Sequence, residues 1–364
     1  MDLSLIPERF SVKKILGQGN FGVIYKAIDK EANQPVAIKL IRNRNGIHEL
    51  KNEVKILTRL QGGDGIPTLI WSEKNTNHYV MELLGSCVND KFISQNHIMC
   101  ESNFIIIAEQ LLQRLEFIHS KSVIHRDLKP HQLVLGGPKH KKIYLIDYGL
   151  SKLFESRNGK HIPFSERRPF AGTFNYASLN AHLGFQQSRR DDLESYCYIL
   201  AYFLTGDLPW RISQATQNEA AIKKMKLSIK PHELYGNEVS LSKIFTYVRS
   251  LEFEQKPDYA YIQGLLGEYK KNIKNPLYRI SWNLKRNNSV KNKTQTNHSC
   301  RKRHKSVVAL IGDDLEANDM SATQVTNKYP EFKKRQKPMK RKFISEAPTA
   351  DSLKINTDIS CCVF

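Results

Sequence analysis

Four short stretches, met in this order along the chain, restrict its fold more than any other feature. They are LGQGNFGVI (16–24), VAIK (36–39), HRDLKPHQLV (125–134) and LIDYG (145–149). The first places Gly17, Gly19 and Gly22 in the spacing G-x-G-x-x-G. Glycine lets backbone amides approach phosphate oxygens closely and point at them. Alone, the spacing also fits ordinary turns and dinucleotide loops. Here it separates two alternating segments, FSVKKILGQG and FGVIYKAID, rather than a strand from a helix. A hairpin is therefore expected and a nicotinamide-binding unit is not. Lys39 and Glu53, taken singly, would be surface charges. Behind a phosphate-shaped loop they are expected to meet, with Glu53 on the inner side of the next helix. Asp147, after an apolar strand, is an oxygen ligand of the kind Mg²⁺ prefers. A lone HRD or DYG would mean little, but four such stretches in order over about 130 residues are specific.

The surrounding patterns give an α+β chain. Alternation through PVAIKLIR extends an antiparallel sheet, and HELKNEVKILTRLQGG reads as a helix with Leu50, Val54, Leu57 and Leu60 on one face. From about residue 86 the patterns turn helical. NFIIIAEQLLQRLEFIHS and DDLESYCYILAYFLTG are long and largely apolar, as core helices are, and the second ends at glycine. The expected architecture is a small sheet-rich lobe (8–85) followed by a larger helical lobe (86–284).

These motifs resemble the protein kinases. ELLGSCVNDKF, HIPF, GTFNYASLNAHLGFQQSRRDDLES and LPW further resemble the casein kinase 1 family, which carries S-I-N where most kinases carry A-P-E; here the residues are Ser178-Leu179-Asn180. The similarity covers roughly 8–284. It implies a bilobal kinase fold, use of ATP and Mg²⁺, and transfer of phosphate to serine or threonine in acidic or already phosphorylated proteins. It also implies roles for individual residues. Leu16, Gly17, Gln18, Gly19, Asn20, Phe21, Gly22, Val23 and Ile24 would cover the nucleotide, with Ala37 beside it. Lys39, fixed by Glu53, would hold the α- and β-phosphates. Met81 would be the gatekeeper, with Glu82 to Leu84 as the adenine hinge, although plain core packing also accounts for a methionine there. Asp127 would accept the proton of the incoming hydroxyl, and Lys129 would steady the γ-phosphate. Asp147 and Gln132 would bind Mg²⁺. Thr173 would brace Asp127 and Lys129, Asp192 would support the catalytic-loop backbone, and Arg126 and Arg168 would receive a substrate anion.

Three positions depart from the family pattern. Gln132 stands where asparagine is usual; its carboxamide oxygen survives, displaced by about 1.5 Å by one methylene. A weakened second metal site is expected rather than a dead enzyme, since positioning and charge neutralisation carry this chemistry. The competing expectation is a catalytically impaired, nucleotide-binding scaffold. Tyr148 replaces the commoner phenylalanine, a mild change if its hydroxyl finds a partner. Asn175 replaces an arginine of the phosphate-receiving patch and removes one bidentate contact, which puts the preference for phosphorylated substrates in question.

Charge matters most beyond the domain. The chain carries a formal +20, of which 285–364 holds +9. That segment is polar, basic and without helical or strand periodicity, so a disordered tail is expected. A basic surface suits acidic peptides, anionic lipid or nucleic acid; no basic stripe interleaved with aromatics appears, which places nucleic acid last. The ending Cys361-Cys362-Val363-Phe364 fits a prenylation signal, and KKRQKPMKRK lies upstream. A lipid plus a polybasic patch would hold the protein on a membrane; the same basic runs also fit nuclear import. Thr349/Ser352 and Thr357/Ser360 have the spacing along which such a kinase extends phosphorylation. Six cysteines without C-x-x-C spacing argue against structural zinc and for reduced thiols. The N-terminus has no secretory pattern and no run of about 18 apolar residues exists, so a cytoplasmic chain with a monomeric catalytic domain is expected.

Overall fold

Period-two alternation builds the first part of the molecule. In the computed structural model, which describes residues 6–18, 22–41, 44–73, 77–136, 142–211, 218–274, 280 and 282, strands β1 (Phe10–Gln18), β2 (Gly22–Asp29) and β3 (Gln34–Ile41) follow one another. Helix α1 (Arg44–Leu60) then precedes β4 (Leu69–Ser72) and β5 (His78–Glu82). The sheet has the order β1-β2-β3-β5-β4, and every pairing is antiparallel. One face buries Phe10, Val23, Tyr25, Ala27, Val36, Ile38 and Val80 as a small core. Because successive strand residues point to opposite faces, Ile24, Lys39 and Met81 are left on the other face. Helix α1 covers that side with Leu50, Leu57 and Leu60, all buried. Val54 is only half-buried, and Ile56 and Glu53 take the inner positions beside those leucines.

The second part is helical. It comprises α2 (Val88–Ser94), α3 (Glu101–Ser120), α4 (Leu179–His182), α5 (Arg189–Thr205), α6 (Glu219–Ser228), α7 (Pro231–Tyr235), α8 (Val239–Ser250) and α9 (Tyr259–Lys271). Two short ribbons sit among them, β6 (Val123–Ile124) with β9 (Lys152–Leu153), and β7 (Leu133–Leu135) with β8 (Ile143–Leu145). Helix α3 is apolar almost all round and accordingly buried, burying Phe104, Ile105, Ile107, Leu111, Leu112, Leu115 and Ile118 against α5 and α9. Burial of each such side chain stabilises by about 1.5–3 kcal/mol. Helix α5 ends where its sequence does: Gly206 takes the left-handed conformation at φ 92° and its N–H donates to Tyr202 O. The expected division into a sheet-rich part and a helical part holds. Among the described residues no helix is long and apolar enough to cross a membrane.

Candidate active site

Lys39 enters the site from β3. Directly opposite it across the β3–β5 pairing stands Tyr79, so both side chains lie on the sheet face that α1 covers. Lys39 Nζ donates to Glu53 Oε2 at 2.8 Å and to Asp147 Oδ1 at 3.1 Å. The Tyr79 hydroxyl lies near the same Glu53 carboxylate and favours its ionised form. Burial works against the charge on Lys39, and the carboxylates of Asp147 and Glu53 more than reverse it, so the ammonium holds its proton more tightly than an ordinary lysine. Burial likewise lifts Glu53, with Lys39 opposing.

The catalytic loop is held from below. Asp192, in the first turn of α5 and buried, accepts from His125 N at 2.7 Å, Arg126 N at 2.9 Å and His119 Nε2 at 2.9 Å. These bonds hold Arg126 at φ 69°, a left-handed conformation that costs a non-glycine residue about 1–3 kcal/mol and persists only when its surroundings impose it. Asp127 follows. Its Oδ1 accepts from Thr173 Oγ1 at 2.6 Å and its Oδ2 from Lys129 Nζ at 2.8 Å; Lys129 also reaches Thr173 Oγ1 at 3.3 Å. Base, lysine and threonine therefore form a closed triangle.

Gln132 ends a single helical turn, Pro130–Gln132, and is buried. Its Nε2 donates to Asp147 Oδ2 at 3.0 Å, so the longer side chain meets Asp147 by its nitrogen end. Asp147 is also left-handed, at φ 67°. Burial would raise its carboxyl, but the charges of Lys39 and Lys129 hold it well below the usual carboxylate range. A carboxylate kept ionised is a hard oxygen donor, which fits Mg²⁺; Gln132 would have to turn its carboxamide oxygen, now facing away from Asp147, to join it. Tyr148 is fully buried, donates its hydroxyl to Leu145 O at 3.0 Å, and packs its ring 5.2 Å from that of His125. The partner expected for that hydroxyl is a backbone carbonyl.

These groups converge on a cleft of about 260 Å³. Gly17, Gln18, Gly22, Ile24, Met81 and Ile146 line it together with Lys39, Glu53, Asp127, Lys129, Gln132 and Asp147. Ala37, paired with Met81, shares that face of the sheet. Leu84 is buried against Val134 and Ile146. Glu82 turns its carboxylate to Thr68, accepting from its N–H at 2.8 Å. Val23 is not brought to the cleft; it belongs to the core on the other face of the sheet. Leu16 is half-buried in β1. Gly19, Asn20, Phe21, Cys361 and Cys362 lie outside the described residues.

Three cations gather beside the catalytic loop. Burial first, then the charge of Arg168, weakens the hold of Arg126 on its proton; burial, then Arg126 and Arg168, does the same to Lys152. Arg126 Nε is anchored on Leu150 O at 2.6 Å, and Arg168 is exposed. Like charges held together in this way favour an anion between them. Lys152 was not legible in the sequence, because its part depends on the β6–β9 ribbon. Tyr79 was also missed, although pairing β3 with β5 around Lys39 and Met81 would have found it. Lys226, which belongs to no cluster of cations, is the third residue the sequence did not reveal: it is wholly buried, and its Nζ donates to Phe174 O and Ala177 O, each at 2.7 Å.

This arrangement can grip a polyphosphate from the sheet side while a carboxylate faces an incoming hydroxyl from the helical side. Residues 10–255, about two thirds of the chain, match the family model described as the protein kinase domain. Kinases of this kind use ATP with Mg²⁺ and act on protein substrates. The sheet-rich part, the helical part and the cleft between them are this fold, and the chain belongs to the protein kinase family.

Proposed function

We propose that the protein is a serine/threonine kinase of the casein kinase 1 type, with its kinase domain spanning 8–284. The observation that carries this reading is the triangle of Asp127, Lys129 and Thr173, in which one threonine hydroxyl joins the base to the lysine. Asp127, buried and oriented by that bond, accepts the proton of a serine or threonine hydroxyl as it attacks. Lys129 offsets negative charge developing at the transferred group, and Lys39, fixed by Glu53, positions the nucleotide phosphates. Asp147 would hold Mg²⁺, joined by Gln132 once its carboxamide oxygen turned to the same ion, and the metal would supply charge neutralisation on the phosphate oxygens. The casein kinase 1 motifs and the cluster of Arg126, Lys152 and Arg168 support acidic or phosphorylated protein substrates, anchored by charge-assisted bonds. Asn175 offers no guanidinium to add to that cluster.

The test is phosphate transfer from labelled ATP to casein or an acidic peptide by the wild-type protein and Asp127→Asn. Label on serine or threonine, with the variant lower by about 10²–10⁴-fold, supports the reading. Equal, near-background rates favour the impaired scaffold, for which Gln132 is the support. Paired peptides with and without a phosphoserine three residues before the target test the need for a substrate phosphate.

For the basic tail (285–364) we propose a membrane-binding role through lipid on Cys361 or Cys362 together with KKRQKPMKRK, which makes the protein cytoplasmic and peripheral to a membrane. Exchange of both cysteines for serine is expected to release it from the membrane fraction; unchanged recovery there, or accumulation in the nucleus, rejects this role.

A further inference from the structure

A tyrosine hydroxyl lies buried where α9 meets the support of the catalytic loop. Tyr259, the first residue of α9, is 6% exposed, and its hydroxyl lies 2.6 Å from His119 Nδ1. His119, in the last turn of α3 and also buried, turns its other nitrogen, Nε2, to Asp192 Oδ2 at 2.9 Å. One polar line thus runs from α9 through α3 to α5.

The role of each group in that line follows from its chemistry. Burial would raise the Asp192 carboxyl, but the hydrogen bonds from His119 and Arg126 N hold it below the usual range, so it is ionised and can only accept. His119 Nε2 therefore carries a proton. In the neutral ring Nδ1 is then an acceptor, and the Tyr259 hydroxyl donates to it. The imidazole torsion has a broad, roughly two-fold preference, so the partners at its two edges decide how the ring stands. Phe154 meets the ring edge-on at 6.4 Å and supplies no polar contact.

Tyr259 is itself held in place. Arg189 Nη2 donates to Glu254 O at 2.6 Å and Arg190 Nη1 to Leu251 O at 3.0 Å, which ties the stretch before α9 to the helix that carries Asp192. Asp258 caps α9 by accepting from Tyr261 N at 2.9 Å, and its own N–H donates to the Tyr247 hydroxyl at 2.6 Å.

We propose that Tyr259 is a positioning residue for phosphate transfer: from α9 it fixes the His119 ring, which holds Asp192, which holds the catalytic loop and so aims Asp127. The inference rests on the kinase reading above. Asp192 takes two loop amides, His125 N and Arg126 N, and Arg126 stands at φ 69° immediately before the base. Slack in the Asp192 carboxylate passes to the next residue along, and a small misplacement of a reacting group is costly. The grip of Lys39 on the nucleotide, built on the sheet, is a separate arrangement.

The experiment uses the full chain with Tyr259→Phe, which removes the hydroxyl and keeps the ring. Tyr269→Phe, the same change elsewhere on α9, is the control. In Tyr259→Phe, kcat on an acidic peptide should fall about two- to tenfold with KM for ATP unchanged. Amide hydrogen exchange at His125 and Arg126 should quicken by a similar factor while that of α8 keeps its rate. Tyr269→Phe should alter none of these. A hydroxyl that served only the fold would instead quicken exchange throughout the domain and lower kcat only in step with the folded fraction. That pattern, an unchanged kcat, or unchanged exchange at His125 and Arg126 overturns the relay and leaves the kinase standing. Absence of transfer by the wild-type protein overturns both.

Discussion

Single side chains decide how the nucleotide end of this site is set. Glu53 accepts from Lys39, and Tyr79, which faces that lysine across adjacent strands, sets its hydroxyl near the same carboxylate. The tyrosine hydroxyl therefore helps aim the carboxylate that aims the lysine, and it acts as a positioning residue. Loss of one hydrogen bond to a charged group costs about 1.5–3 kcal/mol when its partner stays buried. Part of that is recovered here because Lys39 remains. Tyr79→Phe is expected to lower kcat/KM about two- to tenfold, mainly through KM for ATP, with thermal stability little changed; a steady-state ATP titration checks it. Gln132 poses the converse question. Its nitrogen, not its oxygen, meets Asp147, so Gln132→Asn removes that bond while shortening the reach to the metal position. Turnover is expected to stay level or rise. A sharp fall in kcat would mean that the loop is built around glutamine.

At the scale of elements, α6 and α4 meet through Lys226 and His182. Lys226 is wholly buried, and burial pulls its proton affinity well below that of an ordinary lysine. Lys226→Met relieves that cost but orphans Ala177 O and leaves Phe174 O with His182 alone. Unsatisfied buried carbonyls cost about 1–3 kcal/mol each, so a net loss of about 1 kcal/mol is expected, seen as a lower urea midpoint at unchanged slope. His182 and His131 are each pushed down to about 4, first by burial and then by neighbouring cations: Lys226 for His182, Lys129 and Arg211 for His131. A base depressed in the folded state leaves the unfolded chain binding more protons between its ordinary value and the depressed one. Stability from these histidines is thus complete above about pH 6.5 and declines as the pH falls towards 4. Urea midpoints measured across that window should show the decline, and His182→Gln should flatten it.

For the molecule as a whole, the site exists only where sheet and helices face each other. Lys39 comes from the sheet, Asp127 and Asp147 from the helical part, and Lys39 and Asp147 touch across the cleft at 3.1 Å. A ligand that binds this assembled cleft but not the unfolded chain must stabilise the fold. MgATP at about 100 times its Kd should contribute about 2.7 kcal/mol, a rise in Tm of about 4–5 °C for a domain of this size. Asp147→Asn should lose most of that rise in Mg²⁺, whatever the catalytic rate. An equal shift in both proteins would place the nucleotide elsewhere.

The sequence by itself determined the order of sheet and helices, the pairing of Lys39 with Glu53, and the residues at 127, 129, 147, 173 and 192. The order follows from local periodicity, and the residues from the family resemblance that motifs of short spacing carry. Tertiary structure alone decided which side of a strand faced the cleft, and so removed Val23 and added Tyr79. It also decided the meeting of Arg126, Lys152 and Arg168, the burial of Lys226 beneath the 173–177 turn, and the nitrogen-first contact of Gln132. Those outcomes depend on strand register and on contacts between residues many positions apart, where one step of register turns a side chain from core to cleft.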